Sequence, residues 1–395
     1  MPNLGEVSMP GLYVHIPFCQ KHCPYCHFAT TATGNESEHQ SFLRAIKAEA
    51  EFAKNQYGLE TFDTVYIGGG TPSALRVDET KELFKILRSS FSWPADAEVT
   101  MEINPGEVDA QKAQVYKELG VNRISLGAQT FHDHHLERLG RIHRRKAIVE
   151  VFRMLREYQF KSINMDLMIR LPDETLVELN SDLEKLCGCS PEHISVYDLA
   201  VDQGTAFERL HKAGKLNLPS EETHLEMEAM VQNILCQNGY NDYALSCFSK
   251  PEHESKHNLN YWYNGEYLGL GPSAYSYIKG VRFQRALDYV SYMTKIRKKD
   301  FDVIHEDVID DVEKEAETFL LRLRLKNGAP LSRFKKYAPH VQSRIDELVE
   351  MELMEWYYPY VRMTMKGRAV AEEIFARLVL SSKEARTQNS CGIIP

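Results

Sequence analysis

The feature that most constrains this chain is the stretch Gly11 to Phe28, GLYVHIPFCQKHCPYCHF, where an apolar, strand-like run is followed by Cys19, Cys23 and Cys26 in one short loop. Three thiolates this close converge on one inorganic centre, and an iron–sulfur cluster is the natural guest for sulfur ligands in a reduced chain. The other cysteines, Cys187, Cys189, Cys236, Cys247 and Cys391, are scattered. They form no spaced framework of pairs, which argues for a reducing compartment. A cubane held by three cysteines keeps one iron open for an outside ligand, the mark of a reactive centre. The competing reading is a zinc knuckle, with His22 or His27 as fourth ligand.

From this loop to about residue 240, short β-branched or aromatic runs alternate with longer segments of helical period, the pattern of a parallel α/β sheet. Strands are expected at Leu12 to Ile16, Thr64 to Ile67, Ala97 to Ile103, Asn122 to Leu126, Ser162 to Met168 and His193 to Leu199. Helices are expected at Glu38 to Gln56, Glu79 to Ser89, Ala110 to Leu119 with Gly120 as C-cap, Arg145 to Tyr158, and Glu174 to Leu186. Six βα units are too few for a closed eight-fold barrel, so the expected fold is an open, partial (β/α)6 TIM-like barrel. The alternative is a flat doubly wound sheet. Either fold sets its site at the carboxyl ends of the strands.

Conspicuous residues fall at those ends. The second strand runs into Gly68-Gly69-Gly70-Thr71-Pro72, where missing side chains let backbone approach a ligand, although such a turn also simply starts a helix. Glu102 closes the third strand, Gln129 follows the fourth, and Asp166 lies in the fifth. Acidic and amide groups on one rim suit a ligand with an ammonium group and ribose hydroxyls. Arg141 can pair bidentately with a carboxylate.

A net charge of -9 gives no electrostatic footprint for nucleic acid. The first residues, MPNLGEVSMP, lack a basic n-region and an apolar h-region, and no apolar run reaches the roughly 18 residues of a membrane span. The expectation is a cytoplasmic protein.

The motifs YVHIPFC with the two later cysteines, VYIGGGTPS, EINP, SLGAQTF and HISVYDLAVDQGTAF together resemble the HemN/HemW branch of radical S-adenosylmethionine (SAM) proteins, over about Leu12 to Leu380. The resemblance implies a four-iron four-sulfur cluster on Cys19, Cys23 and Cys26. It also implies SAM across the barrel top, touched by Tyr13, Tyr25, Gly70, Thr71, Glu102, Gln129, Arg141 and Asp166. The family chemistry is reductive cleavage of SAM to a 5′-deoxyadenosyl radical, with the protein supplying orientation and water exclusion.

Two functions compete within the branch. Anaerobic coproporphyrinogen III oxidases, which decarboxylate two propionates, carry a further cysteine where this chain has Phe28. HemW-type heme chaperones lack it and carry HNxxYW, here His257, Asn258, Tyr261 and Trp262. The resemblance to them implies heme as a third cofactor, acceptor hemoproteins of respiration as partners, and peripheral contact with membrane-bound acceptors.

His257 beside Tyr261, Trp262, Tyr263, Tyr267 and Tyr275 offers an axial nitrogen and a flat apolar wall to a porphyrin. The bland reading is an aromatic core patch with a hydrogen-bonded histidine, and Cys247 is a competing ligand. Two positions depart from the family pattern. His27 stands where Asp is usual, and Arg170 stands where Gly is usual, a change that adds bulk and charge near the SAM pocket.

From about Asp300 the sequence turns charged and helical, then gives two short strands at Leu353 to Trp356 and Val361 to Met363 and a last helix from Lys366. This resembles the winged-helix-like α+β C-terminal domain of the branch. It has no basic stripe, so it reads as a lid or partner surface and not as a DNA reader. The expected organisation is a core at 10–240, an extension carrying HNxxYW at 241–300, a C-terminal domain at 301–380 and a flexible tail at 381–395.

Overall fold

The computed structural model describes residues 10–32 and 34–379; the tail expected at 381–395 lies outside them. Six parallel strands form the centre: β1 (Gly11–Ile16), β2 (Thr64–Gly69), β3 (Glu98–Ile103), β4 (Arg123–Gln129), β5 (Ser162–Ile169) and β6 (His193–Asp198). All seven residues of β4 are buried, as expected for a strand covered on both faces. The connections are α1 (Glu36–Tyr57), α2 (Val77–Ser90), α3 (Ala110–Glu118), α4 (Asp133–Arg138) with α5 (Arg145–Glu157), and α6 (Leu176–Cys189).

Local chemistry fixes the helix starts. Asn35 with Glu38 and Thr175 with Glu178 form reciprocal capping boxes for α1 and α6, which is why α6 begins at Leu176 and not at Glu174. On α5, Ile148, Val151, Phe152 and Leu155 form the buried stripe, the spacing of one helical face. α7 (Ala206–Lys212) and α8 (Glu221–Gln237) follow β6.

The later strands join the same sheet. β7 (Asn241–Ala244) and β8 (Cys247–Ser249) add antiparallel beyond β6. After α9 (Lys256–Trp262), β9 (Tyr267–Leu270) pairs parallel with β1. β10 (Tyr275–Ile278), β11 (Val281–Gln284) and, after α10 (Tyr289–Arg297), β12 (His305–Val308) extend that edge antiparallel. The order is β12-β11-β10-β9-β1-β2-β3-β4-β5-β6-β8-β7. The twelve strands end in two different edges, so the barrel is open, and both edges grow past the six βα units.

A second hydrophobic core collects Phe319, Leu323, Tyr337, Val341, Ile345 and Ile374. It belongs to α11 (Asp311–Leu323), α12 (Ala338–Glu350), the hairpin β13 (Met354–Tyr357) and β14 (Tyr360–Met363), α13 (Met365–Arg368) and α14 (Ala371–Leu378). Arg368 donates to the nearly buried Asp242 at 2.6 Å and Arg282 to Glu317 at 2.5 Å, tying this unit to both edges of the sheet.

Candidate functional site

The cysteine loop is pinned at its base by a two-residue parallel ladder, Phe18–Cys19 against Thr31–Ala32, and turned by Cys26 N–H donating to Cys23 O at 3.1 Å. All three cysteines are free and half-buried. Burial pushes the Cys19 thiol up to about 12, against a 3.3 Å contact with Thr71 Oγ1, and the two neighbouring cysteines push it further. Burial raises Cys26 as well. A cationic centre relieves such a penalty by binding the thiolates. The histidines that a zinc knuckle would need are engaged elsewhere: His22 with Thr30 Oγ1 at 2.9 Å, and His27 with Asp202 at 2.7 Å. Cys187 and Cys189 lie on α6, packed against the main core.

The glycine turn after β2 lies directly against this loop. Gly70 N–H donates to Ile16 O at 2.7 Å, and a Cβ at Gly70 would come within 2.9 Å of that oxygen and 3.0 Å of Phe18 O. Only glycine permits this approach. Thr71 is buried, and its Oγ1 also accepts from Asn104 Nδ2 at 3.1 Å, while Asn104 Oδ1 accepts from Arg141 at 2.8 Å. Asn104 thus joins the second, third and fourth crossings of the rim. Its signal in the sequence is the Asn104-Pro105 pair that follows the end of the third strand. A cavity of about 20 Å³ opens here beside Cys23, lined by Thr71, Asn104, Glu107, Arg141 and His143.

Inside the barrel, Glu102 accepts from Tyr66 OH at 2.7 Å and from Gly69 N–H at 3.1 Å. Burial lifts its carboxyl to about 7, and Asp166 pushes in the same direction. Burial raises Asp166 too, although Asn164 Nδ2 donates to it at 2.7 Å. Tyr13 is buried, with its hydroxyl 3.1 Å from His15 Nδ1. Tyr25 sits beside Phe207, ring centroids 6.2 Å apart, with Arg141 the nearest counter-charge. Arg123, buried at the start of β4, faces both carboxylates and was not foreseen.

Gln129 holds φ +69, a left-handed conformation costly for a side-chain residue, and accepts from Tyr197 OH at 2.7 Å. Asp182 fixes the next two residues by accepting from Thr130 Oγ1 at 2.5 Å and Phe131 N–H at 3.0 Å. Contacts link part of the set expected at SAM to the cysteine loop: Thr71 reaches Cys19 and, through Asn104, Arg141, while Gly69 reaches Glu102.

His257 is buried on α9 at the amino ends of the strands, with Nδ1 2.8 Å from Thr64 Oγ1 and Nε2 3.0 Å from Tyr261 OH. Its ring stacks on Tyr66 at 5.0 Å, and Glu98 accepts from its backbone N–H at 2.9 Å. Burial lowers its pKa to about 3. Both ring nitrogens are engaged within the protein and the residue is 1% exposed, so neither nitrogen is free in this arrangement. Cys247 is likewise buried, its thiol pushed up to about 11 by burial.

Comparison with known proteins places this geometry. Residues 13–184 match the radical SAM superfamily model. The chain is 34% identical to the heme chaperone HemW of Bacillus subtilis over 93% of this chain and 98% of that protein. It is 30% identical to the heme chaperone HemW of Escherichia coli, over 92% and 96%. The chain belongs to the HemW family. Among solved structures, coproporphyrinogen III oxidase (HemN) from Escherichia coli superposes with a TM-score of 0.82 at 23% identity, covering 94% of this chain and 90% of that one. That likeness establishes the fold.

As a radical SAM protein of the HemW family, the chain takes a four-iron four-sulfur cluster and SAM, and its residues fit them. Three free thiols lie in one loop, Gly70 lets the turn after β2 pack close against it, and Arg141 Nε is buried without a hydrogen-bond partner.

Proposed function

We propose that this chain is a cytoplasmic heme chaperone of the radical SAM kind, and not a coproporphyrinogen oxidase. The observation that carries the reading is Phe28, half-exposed where the oxidases have their extra cysteine, in a chain aligned nearly end to end with proteins named heme chaperone HemW. Cys19, Cys23 and Cys26 hold the cluster. Tyr13, Tyr25, Gly70, Thr71, Glu102, Gln129, Arg141 and Asp166 hold SAM.

When bound, the cluster and SAM together supply reductive cleavage of the sulfonium. The chain's own work is positional. Arg141, held by Asn104, presents a guanidinium to a carboxylate, while Glu102 and Asp166 face an ammonium group and hydroxyls. The Gly70 backbone packs against the start of the cysteine loop. Residues 10–240 carry this machinery, 241–300 the HNxxYW extension, and 301–380 a surface for acceptor hemoproteins, including respiratory enzymes at a membrane. Among the described residues no helix is long and apolar enough to cross a membrane; the contact proposed with such acceptors is peripheral.

The test is anaerobic reconstitution with iron and sulfide, then SAM and reductant with either heme plus an apo-hemoprotein or coproporphyrinogen III. Heme transfer supports the reading. Decarboxylation of coproporphyrinogen overturns it.

A further inference from the structure

With His257 sealed, a heme carrier needs another site. A groove of about 830 Å³ lies on the antiparallel edge of the sheet, between α10 and β10 to β12. Its volume lies within the roughly 300–1,000 Å³ of small-molecule and cofactor sites. Leu287, Val290 and Ile304 line it while remaining 65%, 72% and 42% exposed. Aliphatic side chains left open together mark a binding surface and not ordinary solubility.

The lining also includes Tyr275, Lys295 and His305. His305 Nε2 lies 2.9 Å from Asp307 Oδ2, and the imidazole is 37% exposed. A carboxylate only accepts, so Nε2 donates to it, and in the neutral ring Nδ1 then keeps its lone pair. An imidazole oriented by a carboxylate on its far nitrogen is the usual arrangement of a metal-ligating histidine. Lys295, on the same wall, pairs with Asp300 at 3.1 Å and donates to Asp302 O at 2.9 Å.

We propose that this groove is the heme site and that His305 binds the heme iron through Nδ1. The assignment rests on the heme-chaperone reading and gives that reading its place in the fold. The porphyrin face lies on Leu287, Val290 and Ile304. α10, which walls the groove, begins at Tyr289, whose ring meets Phe18 at 5.7 Å, and Phe18 directly precedes Cys19. Tyr289 and Phe18 thus form a path of contact between α10 and the cluster loop.

The experiment is a hemin titration of the full chain with its cluster reconstituted, followed by the Soret difference spectrum and resonance Raman, with iron and sulfide content as the check on folding. His305→Ala should abolish the imidazole-ligated spectrum, and added imidazole should restore it. Val290→Glu, at an exposed position, should weaken heme uptake without touching the cluster, and Asp307→Asn should weaken it on the order of tenfold. Wild-type protein that takes up no heme defeats the chaperone reading and the groove together. Wild-type protein that binds heme, with all three variants unchanged, overturns the groove alone. Loss of a dimer in Val290→Glu with heme uptake intact would show that a second copy occupies the groove, and overturns the assignment equally.

Discussion

The carboxyl end of the barrel and its amino end both carry histidines, tyrosines and carboxylates, yet they are assembled on opposite rules. At the amino end every polar atom of His257 is answered: Thr64 and Tyr261 take its ring nitrogens, Glu98 its backbone, Tyr66 its face. At the carboxyl end the groups are left unfinished. The thiols of Cys19 and Cys26 are raised by burial, Glu102 is lifted to about 7, Arg141 Nε has no partner, and Gln129 is held left-handed. Unfinished polar groups are costly unless a ligand completes them. The difference separates a histidine ring answered on both nitrogens from a group of thiols, carboxyl and guanidinium whose burial is left uncompensated.

The largest effect that sharpens this contrast is at the cluster. Any one of Cys19→Ala, Cys23→Ala or Cys26→Ala leaves two thiolates for a centre that already has an open iron, so iron and sulfide content should collapse. Content equal to wild type in any of the three would remove that residue from the ligand set and turn attention to Cys187 and Cys189.

At the amino end the comparison breaks in the other direction. His257→Ala should lower folding stability by about 2–4 kcal/mol, from the cavity and the two hydroxyls left without a partner, while the heme spectrum of the folded protein stays unchanged. A denaturation midpoint equal to wild type, or a lost heme band in well-folded protein, would return His257 to the heme site.

Asn104 tests whether the rim works as one unit. Asn104→Ala removes the bridge between Thr71 and Arg141 and leaves buried groups unsatisfied at about 1–3 kcal/mol; SAM affinity should fall on the order of tenfold. Cluster content should hold. An unchanged SAM titration would mean that Arg141 is placed without it.

Glu102 gives the pH dependence. Its carboxyl is lifted from 4.5 to about 7, chiefly by burial, so the folded chain favours the neutral acid. The stability it contributes is complete below about 4.5 and is lost as pH rises through about 7. Glu102→Gln should flatten this part of the stability profile in SAM-free protein. An ammonium group docking beside Glu102 favours the carboxylate, so SAM binding just below pH 7 should release a proton. Calorimetry in buffers of different ionisation heat would show no release if SAM's ammonium group lies elsewhere.

What the sequence made legible follows what it encodes locally. Strand and helix positions came from periodicity, and the site end of the barrel from the rule that βα loops carry it, so Cys19, Glu102 and Asp166 could be placed together. Hidden were features made by long-range pairing. β9 sits beside β1 from 256 residues away along the chain, and no local pattern signals that. The same long-range packing decides that His257 faces Thr64 and not solvent. A motif rich in His and aromatics reads alike whether it is sealed or open, and only burial tells the two apart. Asn104 was missed because its partners Thr71 and Arg141 lie on different loops.

The smallest effect tests the rim where this chain departs from its relatives' pattern. Arg170 follows β5 with φ +60, the left-handed region in which glycine is at ease and a Cβ is not. That backbone geometry favours glycine here, independent of any ligand. The guanidinium does not repay the strain strongly: its described ion pair is with the highly exposed Glu221 at 3.8 Å, and its Nε is buried without a hydrogen bond, a pairing worth little in water. Arg170→Gly should therefore raise stability by about 1 kcal/mol, with SAM affinity and cluster content unchanged. Since the contact runs to α8 and away from Thr71 and Asn104, a shift in SAM affinity would show that the side chain swings into the site, and a loss of stability would show that the pair with Glu221 outweighs the backbone strain.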